Sequence, residues 1–406
     1  MGHFDVGHPC VVLGMYETGL AVGRSLGRKG IEVIGVDWKR DIGFRSRYVK
    51  PFLCPHPLKD PNAFLAFMME LCRSSSDKAV LFLTADEFVI AVSRMREQLA
   101  GRYLFNIPSE ELLECIMNKD CLYLKAQAAG IPVPKTVKLD ALGDLEKARD
   151  GMRYPVFVKG CLSYIWRERF GGVKGFLARD VDELRDRARL LLTRNIPAIV
   201  QEVIPGPDTN HFKSCCYVSA RGKLLLDFTL QKMRQQPVRF GIGASVRSVD
   251  YPELSTIGRE LFFALEFRGV GSAEFKLDEN DHTLKLIELN PRYWQQNILA
   301  DRCGMNFPVV DYLETTGQEP AATFDFLHDV KWINMLMDLN SFLTYRKERT
   351  LGAGKWLASL KGAKVFSDFA LDDMVPALME KKYWRLVARV WNWFSRMLFR
   401  MRRLHE

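Results

Sequence analysis

Two short alternating runs joined by a polar turn constrain this chain's fold more than any other feature of its sequence. Ser272-Ala-Glu-Phe-Lys-Leu277 and Leu284-Lys-Leu-Ile-Glu-Leu-Asn290 flank Asp278-Glu-Asn-Asp281. Period-two alternation on both sides of an Asp- and Asn-rich turn predicts an antiparallel hairpin. Strand side chains repeat every second residue, so Leu284, Leu286, Glu288 and Asn290 are expected on one face. Glu274 is out of phase with its apolar neighbours Ala273 and Phe275. Two carboxylates and a carboxamide are thus expected to converge from adjacent strands. The competing reading is an exposed hairpin with its charges in water, and the hairpin alone does not separate the two.

The segments before it read as strand and helix in alternation. An apolar run at Cys10 to Leu13 precedes Gly14, Gly19 and Gly23, and Ile31-Glu-Val-Ile-Gly-Val-Asp37 reads as a second strand. This is a βαβ unit, and the first 110 or so residues form an open, mostly parallel α/β layer. Gly14-x4-Gly19 is not the Gly-x-Gly-x-x-Gly dinucleotide fingerprint, so helix–strand packing is favoured over nucleotide binding there. Residues 110–130 read as one helix ended by Ile131-Pro-Val-Pro134, and residues 168–175 as a glycine-rich loop.

At 406 residues, with 48% hydrophobic and 26% charged side chains, the chain is expected to hold two or three globular domains. Its nine cysteines include no Cys-x-x-Cys pair, which predicts free, mostly buried thiols in a reducing compartment. Met1 to Pro9 shows no basic segment leading into a long apolar core, so no secretory signal is expected. The formal charge of +9 is concentrated in residues 380–406, where eight Lys or Arg meet two Glu. The charge therefore belongs to a tail, and no nucleic-acid module accompanies it.

Oxygen ligands such as Glu274, Glu288 and Asn290 suit Mg²⁺, which bridges substrate phosphates. Arg292 lies two residues further on, where a guanidinium can hold a phosphoryl group. Lys159 ends the apolar strand Pro-Val-Phe-Val-Lys, an unusual place for a bland lysine. Gly171-Gly172-Val-Lys174-Gly175 can bring backbone N–H groups against phosphates, though it is no P-loop. Val200-Gln201-Glu202-Val203-Ile204-Pro-Gly206 runs from strand to turn; its amides and Glu202 can read an adenine edge, with Asp208 on ribose hydroxyls. A solvated Glu on a linker is the alternative there.

In this order and spacing, Asn118-Lys119, the strand ending at Lys159, the Gly171–Gly175 loop, Gln201 to Gly206, Ala-Glu274-Phe-Lys and Ile-Glu288-Leu-Asn290-Pro-Arg292 resemble the ATP-grasp superfamily. Within it, Ile204-Pro-Gly-Pro-Asp208 and the Lys232 to Pro237 region resemble carboxylate–amine ligases of the D-aspartate ligase type. The resemblance covers residues 10–320. It implies α/β and α+β architecture: a Rossmann-like pre-ATP-grasp domain (1–112), an ATP-grasp small lobe (113–200), a large lobe with the metal site (201–323) and a helical C-terminal extension (324–406). It further implies that Lys119 and Lys159 bind phosphates and that Lys174 closes over them. Gln201, Glu202, Val203 and Ile204 would hold adenine and Asp208 ribose. Glu274, Glu288 and Asn290 would bind two Mg²⁺, with Mn²⁺ an acceptable substitute, and Arg292 would steady an acyl phosphate. Arg167-Glu168-Arg169 stands where small residues are common in the family's loop.

The activity so implied is formation of an amide from small-molecule carboxylate and amine substrates, releasing ADP and phosphate. Lys232, Arg234 and Arg239 are candidates for substrate contact, a solvated cationic strand being equally natural. A catalytically inactive nucleotide- or partner-binding protein on the same fold is the alternative. Between residues 380 and 404, Trp384, Val387, Trp391, Phe394, Leu398 and Met401 oppose Lys382, Arg385, Arg389, Arg396, Arg400 and Arg403 at helical spacing. An aromatic face opposite an arginine face suits an anionic membrane surface, or else docks on the enzyme core. The expected location is cytoplasmic, peripheral to the membrane if the tail binds lipid.

Overall fold

The computed structural model describes residues 5–73, 77–171 and 173–379. Three sheets follow one another along the chain. The first holds β1 (Cys10–Leu13), β2 (Val33–Asp37), β3 (Val49–Leu53), β4 (Ala79–Leu83) and β5 (Tyr103–Leu104), all parallel in the order β3-β2-β1-β4-β5. Both β1 and β4 are buried throughout, as central parallel strands covered on two faces must be. The glycines after β1 serve packing. A Cβ on Gly19 would stand 2.0 Å from the carbonyl oxygen of Gly14, so only glycine lets the helix Glu17–Gly27 sit this close to the strand end. Asp37 accepts the Met15 N–H at 2.6 Å and fastens the same turn.

The second sheet is antiparallel: β6 (Thr136–Leu139), β7 (Val156–Gly160), β8 (Phe176–Ala178) and β9 (Ala198–Glu202), in the order β6-β9-β7-β8. Residues 168–170, expected in a loop, belong instead to the helix Ser163–Phe170, which the positive-φ residue Gly171 terminates. Residues 110–130, expected as one helix, form two, Glu110–Met117 and Lys119–Ala128. The break is at Asn118, whose side chain caps the second helix through the Asp120 N–H.

That break overturns the expectation of nine free thiols. Cys115 and Cys121 would face apart on a continuous helix, but here their Cα atoms lie 5.1 Å apart and a disulfide joins them. The other seven cysteines are free and buried.

The third sheet contains β10 (His211–Val218), β11 (Leu224–Gln236), β12 (Ile242–Ser248), β13 (Gly269–Leu277), β14 (Leu284–Asn290), β15 (Lys331–Ile333) and β16 (Lys364–Phe366). Its order is β14-β13-β10-β11-β12-β15-β16. The stretch after residue 323 is therefore more than a helical extension, since it completes this sheet with β15 and β16. Its helix Met335–Lys347 packs across β11. Further on, Asp373 reaches back to the first domain, accepting from Arg24 Nε at 2.9 Å, Ser46 Oγ at 2.7 Å and the Arg47 N–H at 3.0 Å. The basic helix expected at 380–404 lies outside the described residues.

Removing one partner of a buried ion pair strands the other charge. Asp373→Ala should lower the free energy of unfolding by about 3 kcal/mol in urea titrations. A loss under about 0.5 kcal/mol, the range of neutral surface changes, would show that this anchor is not holding the C-terminal segment.

Candidate active site

The site is built on the β13–β14 hairpin, and its register carries a correction. Ser272 pairs with Asn290 and Glu274 with Glu288, but Phe275 then pairs with Leu286. Ile287 is left over as a β-bulge, which reverses the phase of the strand. Leu284 and Leu286 therefore do not share a face with Glu288 and Asn290. They join Leu289, Ala273 and Phe275 in one apolar core, while Glu274, Glu288 and Asn290 face the opposite side together.

On that side two ammonium groups grip Glu274. Lys213 lies directly opposite it on β10, with Nζ 2.9 Å from Oε1; Lys232 on β11 places its Nζ 2.8 Å from Oε2. Burial alone would raise the Glu274 pKa, but the two lysines outweigh it and hold the carboxyl well below the usual range. Lys232 itself is pulled below its ordinary value by burial, against the attraction of Glu274. Beside Lys213 on the same face is His211, a neutral ring that burial and the nearby Lys232 and Lys276 keep from protonating. Neither of its ring nitrogens has a hydrogen-bond partner.

The second sheet supplies Lys159, at the inner end of β7 and only 8% exposed. Its Nζ donates to Tyr123 Oη at 3.2 Å, and the Tyr123 hydroxyl donates to the carbonyl of Ile287, the bulge residue, at 2.6 Å. Burial lowers the Lys159 pKa to about 8, against the field of Glu288. Lys119 is buried at the start of its helix, where its backbone N–H donates to Cys161 O at 3.1 Å and its charge acts on Asp86 and Tyr123. Lys174 crosses from the loop to within 3.5 Å of Gly241 O, and its charge reaches Glu274. Gly171 leads into that loop, while Gly172 lies outside the described residues. Phe157 stacks on Phe240 at 4.7 Å, so the small lobe lies against the large one.

Arg292 turns toward the first domain. Its Nε pairs with Asp86 at 2.5 Å, Nη2 donates to Asn290 Oδ1 at 3.2 Å and Nη1 to Tyr293 O at 3.1 Å. Burial would raise the Asp86 carboxyl, but the Arg292 charge prevails and holds it low. Asp86 opens the helix that follows β4, next to the end of β1. Chain order reverses between those two strands, the switch point at which open α/β sheets form ligand crevices.

The remaining candidates are engaged elsewhere. Gln201 donates to Thr136 Oγ1 at 3.1 Å, and Glu202 accepts the Arg153 N–H at 2.8 Å. Val203 and Ile204 follow β9, and the Ile204 carbonyl accepts from Lys276 Nζ at 2.7 Å. Asp208 accepts from the Arg239 N–H at 3.1 Å and from the Tyr345 hydroxyl. Arg234 donates through Nε to Asp338 at 2.5 Å and through Nη1 to Ser359 at 2.9 Å, away from Glu274. The Arg239 side chain pairs with Glu348 at 3.0 Å. Sequence reasoning missed Lys213, Tyr123, His211 and Asp86. Lys213 had a readable signal, a lysine in a strand whose other polar residues are only His211 and Ser214. The others depend on neighbours distant in sequence.

The donor set is two carboxylates and a carboxamide, chemically suited to Mg²⁺. Glu288 and Asn290 present oxygens on the site face, whereas both Glu274 oxygens already carry an ammonium. Among the described residues no three His, Cys, Asp or Glu come together as a metal group.

No family model matches the chain. No curated protein matches it. Solved structures do. The ADP complex of purK, an N5-carboxyaminoimidazole ribonucleotide synthetase, aligns with a TM-score of 0.65 at 14% identity, over 85% of this chain and 86% of that one. The N5-carboxyaminoimidazole synthetase from Staphylococcus aureus gives 0.63 at 14%, over 80% and 81%. An L-amino acid ligase from Bacillus licheniformis gives 0.59 at 15%, over 77% and 75%. The fold is an ATP-grasp fold. At these identities the likeness is one of architecture.

Lys159 should leave a pH signature. Its folded pKa of about 8 lies below its ordinary 10.5, so burying the ammonium costs stability in full below pH 8, and the cost fades as pH rises toward 10.5. Lys159→Met should be more stable than wild type at pH 7 by up to about 3 kcal/mol, with the gap closing above pH 8. A constant difference from pH 7 to 10 in chemical denaturation would contradict the shifted lysine.

Proposed function

We propose that the chain is an ATP-dependent ligase that joins a carboxylate to an amine through an acyl phosphate. One observation carries the reading: Glu274 and Glu288 face each other across the hairpin, with Lys159 and Arg292 around them, in a fold whose solved examples include an ADP complex and an L-amino acid ligase. Lys119 and Lys159 would hold the phosphates, with Lys174 and the Gly171–Gly172 loop above them. Residues 201–204 would line the adenine and Asp208 the ribose, Tyr345 and Arg239 orienting its carboxylate. Mg²⁺, held by Glu288 and Asn290 with Glu274 beside them, would offset the triphosphate's charge.

The acceptor carboxylate would lie in the crevice between the β1–β4 switch point and Arg292. Its oxygen attacks the γ-phosphorus, and ADP departs with the electrons of the broken P–O bond. The amine then attacks the acyl carbon, loses a proton and expels phosphate. Arg292 uses three of its five N–H groups on Asp86, Asn290 and Tyr293, so two remain for the phosphoryl oxygens. No side-chain nucleophile is needed, and positioning with electrostatics does the catalysis.

The narrower D-aspartate ligase type rests on Ile204-Pro-Gly-Pro-Asp208 and the Lys232 to Pro237 text alone. Attachment of a cytoplasmic enzyme to an anionic membrane through residues 380–404 likewise rests on sequence. Among the described residues no helix is long and apolar enough to cross a membrane.

In a screen of amino and hydroxy acids paired with amines, one pairing should release ADP. Glu288→Gln should cut that release at least about a hundredfold. Full activity in this variant would refute the metal role of Glu288. Deleting residues 381–406 should abolish sedimentation with phosphatidylserine vesicles while leaving ADP release intact; unchanged sedimentation would rule out the tail as anchor.

A further inference from the structure

The second carboxylate of the hairpin is not presented as a free metal ligand. Glu274 has each oxygen within 2.9 Å of a different ammonium, and both lysines are anchored on strands of the same sheet. Lys213 is 7% exposed and lies in direct register with Glu274, so it has little room to swing away. A Mg²⁺ at its usual distance of about 2.1 Å from Glu274 would have to displace one of them or sit beside both, cation against cation. Glu288 differs. Its field is felt by Lys159 and Arg292, but among the described residues no ammonium or guanidinium group closes on its oxygens; Asn290 Oδ1, two residues on, accepts one N–H from Arg292 Nη2 at 3.2 Å and keeps a second lone pair.

Charge balance points the same way. Lys119, Lys159, Lys174, Lys213, Lys232 and Arg292 act on a site whose carboxylates are Asp86, Glu274 and Glu288. That leaves an excess of three positive charges before any ligand arrives. An ATP tetra-anion and one substrate carboxylate reverse it to two negative. A single divalent cation restores neutrality, and a second would leave an excess of two positive charges.

We propose that the Lys213 ammonium stands in the place of a second divalent cation, so that this site takes ATP with one Mg²⁺, held by Glu288 and Asn290. The inference rests on the reading of the site as an Mg·ATP pocket. Lys213 is thereby a positioning residue: together with Lys232 it keeps both Glu274 oxygens engaged.

The test is a count of bound Mn²⁺ by electron paramagnetic resonance on the full-length protein, saturated with the β,γ-imido analogue of ATP. Wild type should bind one Mn²⁺ per chain and Lys213→Gln two, the freed Glu274 oxygen admitting the second. Two ions in wild type would overturn the inference and leave the Mg·ATP reading standing. One ion in both proteins would overturn the role given to Lys213. No nucleotide-dependent Mn²⁺ in wild type would instead overturn the Mg·ATP reading, and the inference with it. Should Lys213→Gln fail to fold, the wild-type count decides between one ion and two.

Discussion

Two carboxylates set directly opposite each other on paired strands repel, and everything around the hairpin answers that repulsion. Glu274 and Glu288 are register partners, an arrangement that destabilises a sheet unless cations lie close by. Lys213 and Lys232 neutralise one, and Lys159 and Arg292 surround the other. These cations come from β10, β11, β7 and the segment after β14, so the large sheet and the small lobe meet at one electrostatic problem. The bulge at Ile287 makes the problem possible at all. Without it Glu288 would point into the apolar core with Leu286. Its freed carbonyl is also what the Tyr123 hydroxyl uses to aim Lys159.

The C-terminal segment closes the other side of the site. Asp338 and Trp356 hold Arg234, since the Trp356 indole donates to Asp338 at 2.8 Å and stacks on Phe342 at 4.4 Å. Tyr345 and Glu348, from the same helix, hold Asp208 and Arg239. Cationic side chains of β11 and its following turn thus divide in two. Lys232 faces the hairpin carboxylates, while Arg234 and Arg239 are spent on structure. Alternation along the strand does not predict this, because a bulged register separates Lys232 from Arg234.

Much of the fold was legible from local pattern. The βαβ unit, the β13–β14 hairpin and the strand ending at Lys159 follow from periodicity and turn residues, which act within a few positions. What escaped was non-local. The bulge depends on how Ile287 meets Tyr123, 164 residues away. The helix break at Asn118 depends on a pairing with Leu162, and it alone brings Cys115 to Cys121. Strands β15 and β16 have three residues each, too few for alternation to register, and they exist because a sheet edge is waiting for them. Among site residues the carboxylates and Lys159 could be found because charge in an apolar strand is conspicuous. Their partners could not, since a lysine on a distant strand announces nothing about which carboxylate it will meet.

Asp86 shows how the lobes are coupled. Its carboxylate pairs with Arg292 just past the β13–β14 hairpin and lies 3.6 Å from Arg167 Nη2, whose Nη1 is 3.1 Å from Glu87. Arg167 belongs to the helix Ser163–Phe170 that carries the small lobe's loop. The same partly buried acid therefore contacts both the Arg292 guanidinium and the helix Ser163–Phe170. Arg167 thus has a structural role here: it ties the helix Ser163–Phe170 to the two acids that open the helix after β4.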